Sequence, residues 1–268
     1  MRYALILATL VSCQLPTSGK IERQLPEKVQ KINEIPLPEH FTRIGLPDKS
    51  FGQWLRNVKL KSDRTVYLFN GKMKENQSAQ FAVMDVPVGN FDLQQCADAV
   101  MRLRAEYLRD SNEEDKIAFH AGDGTPIDYA SWKKGYRFIL KNGKLDKQLI
   151  AKPSELLFEK YLQLVFTYCS TLSLEKELKP VDMKEILPGD VLIRGGTPGH
   201  AVIVMDVAED KNGQRKYLLA QSYMPAQDIH VLVNPSFVGG IVPWYSVPSG
   251  KKIFTPEWVF KKGELRRF

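Results

Sequence analysis

GDVLIRGGTPGHAVIVMDVAED, residues 189–210, decides the fold class of this chain. DVLIR and the near-continuous apolar run Ala201–Val207 are rich in Val and Ile, the signature of buried strands. Gly195, Gly196, Pro198 and Gly199 punctuate the run on one side and Asn212-Gly213 on the other, so two strands joined by a turn are predicted. RKYLLAQSY and DIHVLV extend the pattern, which gives an antiparallel sheet in the C-terminal half. His200 stands at the mouth of the longest strand, just after the Gly/Pro turn. Small neighbours at Gly199 and Ala201 leave room beside it for another chain or a substrate.

Working outward, FDLQQCADAVMRLRAEYL reads as a helix. Asp92 is the expected N-cap and Gln95 follows three residues later. Leu93, Cys96, Ala97, Val100, Leu103 and Tyr107 share one face at helical spacing, and Asp98, Arg102, Glu106 and Arg109 share a wetter one. SELLFEKYLQLVFTYCSTL, opened by Ser154 and carrying Cys169, reads as a second, deeply buried helix. TVYLFNGKM predicts a strand into an Asn70-Gly71 turn with QFAVMDV as hairpin partner. Residues 111–150 are polar and turn-rich, as expected of an insertion or a substrate-facing subdomain. Helices from the N-terminal half packed on a C-terminal antiparallel sheet make an α+β architecture, with one domain over 46–268.

The first residues are of another kind. One Arg, the apolar run Tyr3–Val11 and Ser12-Cys13 form a short secretory signal over 1–12 whose end, LVSC, matches a lipobox. Cleavage before Cys13 and its acylation would tether the protein to a membrane without a spanning helix, because no later stretch approaches about 20 apolar residues. Residues 13–45, polar and interrupted by Pro16, Pro26, Pro36 and Pro38, are the expected tether. The expected location is the cell envelope, with the body outside the cytoplasm. The net charge of +7 is dispersed over KLKSDR, SWKKGYR, SGKK and FKKGELRRF. No segment makes a nucleic-acid stripe, and anionic envelope polymers or lipid head groups are the simpler partners.

Cys96 falls in the first turn of its helix, where unpaired N–H groups and the macrodipole favour a thiolate. The competing readings are a buried core thiol and a Cys96–Cys169 disulfide. His200 is the expected base. His120 sits beside a Gly-rich turn, and His230 alternates with Ile229 and Val231, as expected of a surface position on a strand. Gln221 is the expected residue to orient His200. A tight Asn212-Gly213 turn sets it opposite Val204, whereas a four-residue loop over Glu209–Asn212 sets it opposite His200. Neither HExxH nor close His/Cys pairs occur, so no metal and no cofactor are expected. Tyr129, Trp132 and Tyr136, interleaved with Lys133, Lys134 and Arg137, would line a groove for peptide or glycan, or else cover the core.

PGDVLIRGGTPGHAVIVMDV resembles the PGD-strand, turn, His-strand segment of NlpC-type and CHAP-type cell-wall peptidases and amidases, which are papain-like. SFGQWLR, DLQQCADAVMRLRAEYL, PGHAVIV and LLAQSYMPAQDIHVL are more closely similar to a family of bacterial envelope lipoproteins described only as a domain of unknown function. The first resemblance implies a papain-like fold with Cys96 as nucleophile, His200 as base and Gln221 as orienting residue. Its usual Asp-Cys-Ser is here Gln95-Cys96-Ala97, and the segment between cysteine and histidine is long. The functional expectation is a lipid-anchored thiol hydrolase cleaving amide bonds, with peptidoglycan peptides as one substrate. The alternative is a non-catalytic binding or scaffold lipoprotein on the same body.

Overall fold

The computed structural model describes residues 29–150, 157–237 and 240–268. Cys13, the signal at 1–12 and Ser154 lie outside them. In chain order the strands and helices are β1 (Thr42–Arg43), α1 (Phe51–Arg56), β2 (Gln80–Val83), α2 (Cys96–Asp110), β3 (Ala118–His120), β4 (Pro126–Asp128), α3 (Tyr129–Lys133), β5 (Tyr136–Lys141) and β6 (Lys144–Leu149). There follow α4 (Phe158–Tyr168), α5 (Thr171–Glu177), β7 (Lys179–Pro180), β8 (Val191–Arg194), β9 (His200–Glu209), β10 (Arg215–Gln221), β11 (His230–Leu232), β12 (Trp244–Ser246), β13 (Lys252–Phe254), β14 (Val259–Lys261) and β15 (Leu265–Arg267).

Nine of the described strands form one antiparallel sheet in the order β2-β11-β10-β9-β8-β15-β7, with β1 beside β9 and β12 beside β10. The chain is therefore mixed α and β around a large antiparallel sheet with few helices. The expected division between helical first half and sheet second half is corrected: β1 and β2 bring the N-terminal half into the sheet, while α4 and α5 lie past the midpoint. Packing also begins before residue 46. Ile32 and Ile35 are fully buried, and β1 pairs with the end of β9, so apolar side chains draw this part of the expected tether into the core.

The two faces of the sheet bury different layers. Ala201, Ile203 and Met205 of β9 face the layer that holds Val100, Met101 and Leu103 of α2. Val202 and Val204 face the opposite layer, closed by Phe260, Ile253 and Leu265 of the C-terminal segment. Strand parity then changes. Leu218 pairs with Asp206 but Leu219 with Val204, so Met205 is the extra residue of a β-bulge, and beyond it Ala208 faces the helix layer and Val207 the other. Asp206 is fully buried there and accepts from Arg43 Nε and Arg56 Nε at 2.6 Å each, and from the Val207 N–H at 2.8 Å. Two guanidiniums and a backbone amide compensate the buried carboxylate at the distortion.

Three local expectations change. Gln80–Val83 pairs with β11 instead of with TVYLFNGKM, which turns back on itself at Gly71 (φ +78°) with a Tyr67–Met73 bridge. The expected second helix is two, because the chain leaves helical geometry at Cys169 and Ser170 restarts it by accepting from the Ser173 N–H. Residues 111–150 form two small hairpins around α3.

Candidate active site

Cys96 is the first residue of α2. The expected cap shifts by three residues: Gln95 takes the N-cap position, with Asp98 accepting from the Gln95 N–H at 3.0 Å. Asp92 instead receives the Ala226 N–H at 2.6 Å and the Gln95 amide at 3.1 Å, and so ties the helix start to the loop after β10. Ser222 Oγ adds a 2.9 Å bond to the Gln94 carbonyl. α2 is buried on more sides than an amphipathic stripe requires, and Asp98, expected on the wet face, is only 7% exposed. The helix ends where Asn112 adopts φ +58°, a left-handed geometry that Asn tolerates.

The backbone N–H groups of Ala201, Ala97 and Cys96 itself lie near the Cys96 sulfur and favour its thiolate. The thiol therefore lies near the start of β9, at Ala201, whose neighbour His200 points to the other face of the sheet. Burial outweighs these donors, and the nearby Asp98 charge adds to it, so the Cys96 pKa is pushed up to about 11. The lowered thiol pKa expected from a helix N-terminus does not exist in the resting molecule, because desolvation exceeds the dipole. Cys96 and Cys169 are both free and buried, and burial pushes the Cys169 thiol up as well.

His200 is 2% exposed, boxed by the rings of Tyr223, Trp258 and Phe260 at 4.9, 5.3 and 5.8 Å. Burial depresses its pKa to about 4, so the imidazole is neutral at pH 7. Its Nε2 lies 2.8 Å from Gln221 Oε1. The register that makes this contact differs from both expected ones: beyond the bulge Ala220 pairs with Ile203, which continues to Gln221 opposite Val202. Val202 and His200 are two residues apart and share a face, so Gln221 reaches the ring diagonally. Without the bulge Gln221 would stand on the other face.

The tautomer follows from a residue outside every sequence signal. Gln221 Nε2 donates to Glu257 Oε2 at 2.8 Å. A carboxylate only accepts, so the amide oxygen must face His200, whose Nε2 must carry the proton. The lone pair of His200 is then on Nδ1. Glu257 is held in turn by Lys74 Nζ at 2.7 Å and Asn76 Nδ2 at 3.2 Å. His230, expected at the surface, is fully buried in this network: its Nδ1 donates to the Asp228 carbonyl at 2.9 Å and its Nε2 lies 3.5 Å from Gln221 Nε2. Burial lowers its pKa to about 3.

A cavity of about 280 Å³ opens beside Cys96, between the start of α2 and the 196–199 turn. Gly199 is required there, because a Cβ would collide with Thr171 Oγ1 and the Gly196 carbonyl. The aromatic residues expected along a groove are elsewhere. Tyr129 and Trp132 are buried against Tyr161, Trp132 under the Arg137 guanidinium at 3.7 Å, and Tyr136 is half-buried beside Lys147. None of the three lines the cavity. His120, 3.4 Å from Glu177, also stands apart from it. Among the described residues no group of three or more His, Cys, Asp or Glu side chains could hold a metal ion, and no helix is long and apolar enough to cross a membrane.

Imidazole, amide and carboxylate thus meet at the mouths of two strands on the sheet face of Val202, while the thiol stands at the start of α2 near Ala201, which faces the other layer. The chain belongs to the family described as "Domain of unknown function (4846)", whose model matches residues 32–267. No curated protein and no solved structure matches it.

Proposed function

We propose that this protein is a lipid-anchored thiol hydrolase of the cell envelope, papain-like in the arrangement of its site, that cleaves an amide bond such as those of peptidoglycan peptides. The observation that carries the reading is the orientation of His200. Its Nε2–H is committed to Gln221, whose amide nitrogen is committed to Glu257, which leaves Nδ1 as the basic nitrogen; to it we assign the proton of the Cys96 thiol, which stands near Ala201, the next residue of β9. In the first step the Cys96 sulfur bonds to the carbonyl carbon as its proton passes to His200 Nδ1, and the Cys96 N–H, an unpaired donor of the first helical turn, stabilises the oxyanion. Collapse breaks the C–N bond, and the proton on Nδ1 leaves with the amine. Water then attacks the thioester, giving a proton to Nδ1 that returns to the departing thiolate. Gln221 and Glu257 hold the imidazole in the tautomer this cycle needs. The LVSC lipobox supports acylation of Cys13 and anchoring in a membrane.

Purified peptidoglycan incubated with the protein, then examined by mass spectrometry for new amine and carboxyl termini, tests the reading. Termini that appear with wild type and disappear with Cys96→Ala support it; none with either protein opposes it. A second reading, a non-catalytic binding lipoprotein, is favoured by one observation: burial leaves both the Cys96 thiol and the His200 imidazole neutral at rest. Retention of the protein on peptidoglycan without new termini is the result that selects it.

A further inference from the structure

The cavity beside Cys96 has an unusual charge for this chain. The protein carries a net charge of +7, yet the cavity is lined by two carboxyls, Asp92 and Asp98, and by no Lys, Arg or His side chain. Asp98 is 93% removed from solvent and forms no ion pair among the described residues. Other buried carboxylates here are matched by cations, Asp206 by Arg43 and Arg56, Asp228 by Lys61 and Asp190 by Arg267. The Asp98 carboxyl is eased only by backbone N–H groups, that of Gln95 at 3.0 Å and its own, and by no cation. Burial raises its pKa to about 8, the mark of a carboxyl deprived of both water and cation. It also opposes the thiolate of Cys96, two residues away. A nucleophile site with an unmatched carboxyl at its side is handicapped when empty, and a cation entering the cavity would reverse the sign of that effect.

We propose that the substrate of this site carries a positive charge, an ammonium or guanidinium group, close to the carbonyl attacked by Cys96, and that Asp98 binds it as a specificity-determining residue. The proposal rests on Cys96 being the nucleophile and names the substrate class for that same site. Substrate binding then supplies the cation that the site lacks, favours the ionised form of Asp98 and offsets its charge, so that the developing thiolate meets no net repulsion. A neutral or anionic competitor of the same shape gains neither effect.

Three methanethiosulfonate reagents of similar size test this without knowledge of the natural substrate: the ethylammonium, the neutral ethyl and the ethylsulfonate forms. Each is applied to the folded full-length protein at pH 9, above the Asp98 pKa of about 8, with modification at Cys96 quantified by peptide mass mapping and normalised to the rate with 2-mercaptoethanol. The expected normalised rate for the cation exceeds that for the anion by on the order of tenfold or more, the size of a partly screened contact between unit charges. In Asp98→Asn the preference should vanish. The Asn oxygen still accepts from the Gln95 N–H, so the helix cap survives. A normalised cation-to-anion ratio near one in wild type overturns the proposal whether or not the variant folds, and so does a preference that persists in Asp98→Asn. The nucleophile reading fails separately, if neutral-reagent labelling is unchanged by His200→Ala. Absence of Cys96 labelling by all three reagents overturns both.

Discussion

Gln221 holds His200 through its amide oxygen, 2.8 Å from Nε2, because Glu257 has claimed its amide nitrogen. The direction of one hydrogen bond thereby fixes which imidazole nitrogen is basic, and it does so from a residue 36 positions further along the chain. Gln221→Leu removes the acceptor and frees the ring to change tautomer. We expect Cys96 reactivity near neutral pH to fall about tenfold, less than the roughly 10²–10⁴-fold of a lost general base because the imidazole itself remains, with the thermal midpoint moved much less than the rate. Thiol labelling and thermal denaturation of the same preparation check the two halves.

Glu257→Gln acts one step further out. It leaves Lys74, 7% exposed, without its carboxylate and lets the amide of Gln221 turn over. The expected result is the same loss of Cys96 reactivity together with a stability cost of about 3–5 kcal/mol, the range for breaking a buried ion pair. Urea denaturation separates the second effect from the first.

Asp98 gives the pH dependence of stability a definite sign. Burial raises its pKa from the ordinary carboxyl value of 3.8 to about 8 in the folded protein. The folded state therefore holds a proton that the unfolded state releases, and the contribution is complete below pH 4 and lost as pH rises through 8. Asp98→Asn has no such proton. Its stability relative to wild type should rise steadily between pH 4 and pH 8, and a pH-independent difference in denaturation midpoints would count against a buried, uncompensated carboxyl.

The bulge at Met205 is the feature on which the site's register depends. Asp206→Ala leaves Arg56 buried without a counter-ion, for which a loss of about 3–5 kcal/mol is expected. By contrast, Trp132→Ala should cost a similar amount through loss of core packing, about 3–5 kcal/mol, without altering the labelling of Cys96. A change in that labelling by Trp132→Ala would return the 129–136 segment to the site.

What the sequence made legible follows from how local each signal is. The β8–β9–β10 run shows itself through apolar strands and Gly/Asn turns, and the α2 start through helical spacing, so the positions of Cys96 at a helix start and His200 at a strand start are legible as the ends of two strong local patterns. The Gln221–His200 contact is not legible from turn geometry: neither turn length at 209–213 gives the observed register, and the shared face is produced by a bulge inside an unbroken apolar run, which has no compositional mark. Glu257 and Lys74 sit in segments distant in sequence that meet only in the folded chain. Asp98 was read as surface because a charge on a helix is usually solvated. His230 was read as surface from alternation, yet both faces of this sheet are covered, and alternation marks exposure only when one face meets water.

The most direct test is the pH–rate profile of Cys96 alkylation by iodoacetamide in wild type and His200→Ala, with mass mapping to separate Cys96 from Cys169. If His200 Nδ1 takes the thiol proton, the reactive thiolate–imidazolium pair is isomeric with the neutral pair, and its population is independent of pH between the two pKa values, about 4 and about 11. The expected wild-type profile is a shelf that falls away only as His200 protonates in acid and gives way to a rising limb in alkali. In His200→Ala the shelf should be absent, leaving the alkaline limb alone. A single rising limb that coincides in the two proteins is the result that contradicts the mechanism, because it makes Cys96 a core thiol that the imidazole does not touch.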